Sequence, residues 1–101
     1  LVAVTVGLSA CGGTNSTLDD PALERGRMVF AARCVSCHGV KGQGIVGPKI
    51  SSAVIVAKYP DPAAQRAVVA NGRNAMPAWK NTLSDAEIDA VVRYTREVLG
   101  T

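Results

Sequence analysis

The sequence predicts an all-α domain of about four short helices, and three observations predict it. An aspartate stands before a proline at Asp20-Pro21 and again at Asp61-Pro62, pairing an oxygen-bearing cap with a residue that has no amide hydrogen to satisfy. Ser84 and Glu87 have the spacing of a capping box ahead of a one-sided apolar pattern. The β-prone run Ala53 to Ala57 would be an isolated strand with no partner, so a short helix is expected there.

The chain divides into residues 1–10, 11–18 and 19–101. Leu1 to Ala10 are apolar or small and uncharged, which matches the apolar region of a signal peptide. The run is too short for a membrane span, which needs about 20 apolar residues. It lacks an initiator Met and a basic leading region, so the expectation is a signal-peptide remnant whose start is truncated. Leu8-Ser9-Ala10-Cys11 resembles a bacterial lipobox, which implies cleavage before Cys11 and a lipid on it. The alternative is that Cys11 sits in a cleaved peptide or an uncleaved anchor, and both imply export. Acyl chains contribute roughly 0.8 kcal/mol per buried methylene, and stable attachment takes more than one. A multiply acylated Cys11 would therefore hold the domain at a membrane, with the Gly/Ser/Thr stretch behind it as a short tether.

The first helix starts after Asp19 or Asp20 and is expected to run to about Ala32. Leu23, Gly26 and Phe30 share one face. Glycine inside a helix costs up to about 1 kcal/mol relative to alanine. A close helix crossing explains Gly26; the alternative is a merely weakened exposed helix. Ser51 to Tyr59 reads as a short helix, Asp61-Pro62 opens another to about Ala70, and Asn71-Gly72 closes that one. In the last helix Ile88, Val91, Val92, Thr95, Val98 and Leu99 form one face, Arg93 and Arg96 suit the dipole at its end, and Gly100 can stop it.

Cys34-Val35-Ser36-Cys37-His38 is C-x-x-C-H. Two thiols at this spacing can each add to a vinyl group of one haem, and the histidine after the second lies beneath the iron. A thioredoxin-like redox pair needs a βαβ context, and a zinc site needs further Cys or His ligands. His38 is the only histidine and Cys11 lies in the leading segment, so the prediction is one haem c, covalent through Cys34 and Cys37. A second axial ligand must then be another side chain, and thioether sulfur serves that role. Of the two methionines, Met28 precedes the motif on its leading helix, on the wrong side of the haem. Met76 sits in the loop Asn71-Gly72-Arg73-Asn74-Ala75-Met76-Pro77-Ala78-Trp79, free to reach the open axial position. An isolated methionine is more often core filler, and that alternative stands beside ligation.

Over roughly Pro21 to Leu99 the chain resembles a class I bacterial cytochrome c. The residues that carry the resemblance are Gly26 and Phe30 ahead of the motif, Gly47-Pro48 after it, Met76-Pro77 with Trp79, and the Leu83-to-Ile88 helix start with Tyr94. The resemblance implies a cytochrome c fold around one haem, with Gly26 at the crossing of the first and last helices and Phe30 and Tyr94 packed there. It also implies a hydrogen bond from the free ring nitrogen of His38 to the Pro48 carbonyl, which would fix the tautomer, and places Trp79 and Arg73 near the propionates. Gly42-Gln43-Gly44-Ile45-Val46-Gly47 satisfies G-x-G-x-x-G, but it follows C-x-x-C-H and leads to Pro48, where a dinucleotide site needs a strand before and a helix after. These glycines are expected at positive φ, letting the backbone wrap the haem edge.

Two protein ligands leave iron no open position, so electron transfer is expected over catalysis, with no small-molecule substrate. Methionine ligation implies a positive midpoint potential and a place late in a respiratory or photosynthetic chain. The formal charge of +3 is mild and dispersed, which argues against nucleic acid. Lys41, Lys49 and Lys80 fall in segments the family arranges around the haem edge, either steering an acidic redox partner or lying there as ordinary solvated lysines. Three functions are distinguished: a lipid-tethered carrier between a redox donor and acceptor at the outer face of the cytoplasmic membrane or in the periplasm, a fixed subunit of a membrane redox complex, and a haem enzyme or gas sensor in which Met76 dissociates.

Overall fold

A computed structural model describes residues 17–100, and the expectations for Leu1–Ala10 and for Cys11 lie outside the described residues. Within them the order is α1 (Pro21–Arg33), α2 (Val35–His38), α3 (Ser52–Lys58), α4 (Pro62–Asn71) and α5 (Asp85–Glu97), with no strand among the described residues. None of these helices is long and apolar enough to cross a membrane.

The starts of α1, α4 and α5 each follow from a local cap. Asp20, not Asp19, caps α1, its Oδ1 accepting from the Ala22 and Leu23 amides at 3.0 and 3.2 Å. The Asp61 carboxylate accepts from the Ala63 amide at 2.9 Å. At α5 the capping box is complete: Ser84 Oγ accepts from the Glu87 amide at 3.1 Å, and the Glu87 carboxylate accepts from the Ser84 amide at 2.9 Å. Thr17 is buried and its hydroxyl donates to Glu24, so packing onto α1 begins ahead of residue 19.

The core forms where α1 crosses α5. Leu23, Gly26, Val29 and Phe30 face Ile88, Ala90, Val91 and Val92. A Cβ on Gly26 would stand 2.2 Å from the Ala90 carbonyl oxygen and 2.7 Å from Tyr94 Cβ, so only glycine lets the two backbones come this close. Beside it the Phe30 and Tyr94 rings pack with centroids 5.5 Å apart, a separation at which aromatic pairs attract.

α3 is helical despite its Val-Ile-Val sequence. Ser52 ties its first turn to the end of α5, with Oγ donating to the Thr95 and Leu99 carbonyls at 2.8 and 3.0 Å. Two expectations need correction. The fold has a fifth helix, the four-residue α2, because the chain bends at Cys34 and turns once more. α5 stops at Glu97, with Val98 as its cap, rather than running to Gly100.

Candidate functional site

Cys34 is the hinge from which the site is built. Its amide closes α1 by donating to the Phe30 carbonyl at 2.9 Å, and its carbonyl opens α2 by accepting from the His38 amide at 2.9 Å. That single turn brings Cys34, Cys37 and His38 to one wall. Gly39, at φ +87°, ends it and sends the chain back beneath the imidazole.

The returning loop hangs on the carbonyls it has just passed: Gly44 donates to His38 O at 2.7 Å, and Ile45 and Gly47 donate to Cys37 O at 3.2 and 2.7 Å. It presents Gly47 to the ring so closely that a Cβ there would sit 2.9 Å from His38 Cε1. It also delivers the Pro48 carbonyl 2.9 Å from His38 Nδ1. A carbonyl only accepts, so Nδ1 must hold the proton. Nε2 is then the imidazole's remaining lone pair, on a buried ring that lines the cavity.

That cavity measures about 620 Å³, within the roughly 300–1,000 Å³ of cofactor pockets. Cys34, Cys37, His38 and Pro48 line one part of it, Phe30 and Val91 come from the helix crossing, Ile55 from α3 and Val68 and Val69 from α4. Arg73, Met76 and Trp79 are contributed by the chain between α4 and α5. Gly72, at φ +76°, releases the chain from α4, and Arg73 and Met76 close a tight turn by exchanging backbone bonds of 3.1 and 2.9 Å. Trp79 is fixed by its amide on the Val69 carbonyl at 3.1 Å and lies 5.8 Å from the Arg33 guanidinium. Arg73 Nη1 donates to Tyr59 Oη at 3.4 Å.

Burial first, and the neighbouring Cys37 second, push the Cys34 thiol up to about 11. Cys34 therefore stays a neutral thiol at neutral pH and is not itself an activated thiolate. Two thiols free of any disulfide, an imidazole nitrogen with its lone pair free and a thioether around one largely apolar cavity fit a haem.

Some of the expected neighbours do not line the cavity. Gly42 and Gly44 do have positive φ and Gly47 does not, and neither Gly42 nor Gly44 lines the cavity: Gly42 backs onto Leu99 and Ser51, and of the three only Gly47 reaches the site. Of the three lysines expected around the edge only Lys49 lines the cavity, whereas Lys80 donates to Asn71 Oδ1 at 3.4 Å. Arg33 and Lys58 line it instead, together with Arg73, and no carboxylate does. Gln65 and Tyr59 were also missed; a four-residue step from Gln65 to Val69 along one helix face was the available sign. Met28 is 60% exposed on α1 and lies off the cavity.

The family model described as cytochrome C oxidase, cbb3-type, subunit III matches residues 21–94. Cytochrome c6 of Bryopsis maxima is 40% identical over 76 residues, 71% of this chain and 86% of the relative. The cbb3-type cytochrome c oxidase subunit FixPc of Rhizobium leguminosarum bv. viciae is 32% identical over 92 residues, 87% of this chain but 32% of the subunit. The crystal structure of cytochrome c6 from the diatom Phaeodactylum tricornutum superposes with a TM-score of 0.64 at 30% identity, covering 73% of this chain and 90% of the other. With a family match over most of its length and a fold shared with solved c-type cytochromes, the chain belongs to the cytochromes c, as a class I, single-haem electron-transfer domain of the cbb3 subunit III and cytochrome c6 kind that binds haem c covalently.

Proposed function

We propose that Cys34 and Cys37 hold the haem through thioethers, that His38 Nε2 and Met76 Sδ are its two axial ligands, and that the domain passes single electrons to and from an acidic redox partner. The observation that carries this is the one cavity shared by both thiols, the Pro48-tethered imidazole and the Met76 turn. Haem, when bound, supplies a one-electron ferric/ferrous couple. The chain supplies the rest. The Pro48 carbonyl holds the proton on Nδ1 and so leaves the Nε2 lone pair free. Phe30, Ile55, Val69 and Val91 exclude water, and Arg73 and Trp79 stand where propionates can be met. With His38 and Met76 both holding the iron, the chain would leave no place for a substrate, which supports carriage over catalysis and a positive midpoint potential.

The test is the ferric spectrum of the holoprotein. Wild type should show the sulfur-to-iron charge-transfer band, Met76→Ala should lose it, and Met28→Ala should keep it. A band that survives in Met76→Ala removes Met76 from the ligand set.

Arg33, Lys49, Lys58 and Arg73 line the cavity without a carboxylate among them, so the partner's docking face should be acidic and the electron-transfer rate should fall as salt rises. A fixed place in a larger complex is the second reading. It is favoured by the match of 87% of this chain to a part of FixPc, itself named as an oxidase subunit. In either case we place the domain outside the cytoplasmic membrane, held there by a lipid on Cys11. Intact mass after membrane extraction, reporting haem addition and acylation together, tests that placement, and co-purification after detergent extraction separates carrier from subunit.

A further inference from the structure

Two side chains on the cavity wall are polar, buried and outside the proposed ligand set: Gln65 of α4, 4% exposed, and Thr95 of α5, 5% exposed. The Thr95 hydroxyl donates its one hydrogen to the Val92 carbonyl at 2.8 Å, so it can only accept from Gln65, whose Nε2 lies 2.7 Å away. That fixes the amide's orientation. The amino end turns to Thr95 on the cavity wall, and Oε1 turns away to accept from Arg96 Nη1 at 3.3 Å. Arg96 Nη1 also donates to the Tyr59 carbonyl at 2.6 Å, and Nη2 donates to the Pro60 carbonyl at 3.2 Å.

All three acceptors around Arg96 are neutral. Arg27, Arg66 and Arg93 each pair with a carboxylate and Arg25, Arg33 and Arg73 are exposed, whereas no carboxylate among the described residues lies within ion-pair distance of the partly buried Arg96. A half-buried cation is therefore held, uncompensated, one amide away from the haem cavity. Oxidised haem carries one more positive charge than reduced haem, so a fixed cation nearby raises the energy of the oxidised form. The low-dielectric interior weakens that effect far less than water would. The Gln65 dipole, positive end toward the cavity wall, acts in the same direction.

We propose that Arg96 is a potential-setting residue: held by Gln65 and the Tyr59–Pro60 carbonyls, its unpaired charge favours the reduced state of the haem. The proposal rests on the reading that this cavity holds the haem, not on which side chain is the second axial ligand. A purely structural role, pinning the turn at Tyr59 and Pro60 to α5, is the alternative that the test must separate.

The holoprotein and three variants are titrated spectroelectrochemically, with thermal unfolding and the ferric spectrum recorded for each. Arg96→Gln removes the charge and should lower the reduced-to-oxidised ratio at a fixed applied potential by about 3- to 10-fold. Gln65→Glu, nearly isosteric, sets a carboxylate against Arg96 and should lower the ratio by a similar factor. Arg96→Lys keeps the charge and loses the fork, so its ratio should stay within about 2-fold of wild type while its unfolding temperature falls. If Arg96→Gln and Arg96→Lys share one potential, or Gln65→Glu leaves the ratio unmoved, the clamp is structural only. Should Arg96→Gln not fold, Arg96→Met, which also removes the charge, is compared with Arg96→Lys in its place. Absence of the sulfur charge-transfer band in wild type would sink Met76 ligation alone, because the ratio shift needs only a haem in the cavity.

Discussion

The α1–α5 crossing and the loop wall of the cavity are built by different means. At the crossing, Phe30, Ile88 and Val91 are almost wholly buried and two helix backbones touch through Gly26. Along the wall, the chain is held by single backbone hydrogen bonds, by glycines at 39, 44 and 72 in conformations other residues resist, and by one His38–Pro48 contact. Ile45 and Val46 there remain largely exposed. Close packing makes the first region intolerant of added atoms, whereas the second can shift locally. Substitutions at the crossing should therefore unfold the domain, and substitutions in the wall should disturb the iron's ligands while the helices stay folded.

The largest effect is expected at Gly26. Overpacking typically costs about 1–3 kcal/mol, and the atom met at 2.2 Å is the Ala90 carbonyl oxygen, part of a helix backbone that cannot rotate aside. Gly26→Ala should lose about 3 kcal/mol of stability, with helix signal and the native haem spectrum lost in one thermal transition. The ferric sulfur band should be unchanged in the fraction that remains folded. Wild-type melting in Gly26→Ala would mean that the crossing is not where stability resides.

Gly72 tests the other region. Its φ of +76° and ψ of +170° lie where essentially only glycine is found, and an added Cβ would meet the Met76 carbonyl oxygen at 2.7 Å. Such strain costs about 1–3 kcal/mol, here at the turn that presents Met76. Gly72→Ala should weaken or abolish the ferric sulfur band at temperatures where far-UV ellipticity is native, with a smaller drop in unfolding temperature than Gly26→Ala. Loss of band and helix together would erase the distinction between the two regions.

How much of each region can be read from the sequence follows the same division. The crossing is written in local terms: Asp20 before Pro21, Ser84 with Glu87, and a glycine too costly for an exposed helix. C-x-x-C-H is equally local, because one turn of chain holds both thiols and the imidazole. α2 escapes a search for periodicity because four residues hold barely one turn. The positive φ of Gly42 was legible, but not that its far side is Leu99 rather than the cavity, since that depends on where the chain returns after α5. Gln65 shares a face of α4 with Val69, but its place on the wall beside Thr95 depends on where α5 returns. Lys58 and Arg33 reach the cavity for the same reason, by the placing of α3 and α1 rather than by their neighbours in sequence.

The smallest expected effect lies at the edge of the crossing, where the chain enters α1. Glu24 is drawn down to about 2, first by the hydrogen bond from Arg27 and then by the Thr17 hydroxyl. Its folded value lies below its ordinary 4.5, so its stabilising contribution is complete above 4.5 and disappears as pH falls through that value toward about 2. The carboxylate is at the surface, and screening keeps the contribution small. Glu24→Gln should melt slightly below wild type at neutral pH, and the gap should close as the pH is lowered through this window and narrow when salt is added at neutral pH. A gap that stays constant with pH would assign the difference to the geometry of the Thr17 contact rather than to charge. The first turn of α1 would then be held, like the crossing behind it, by packing alone.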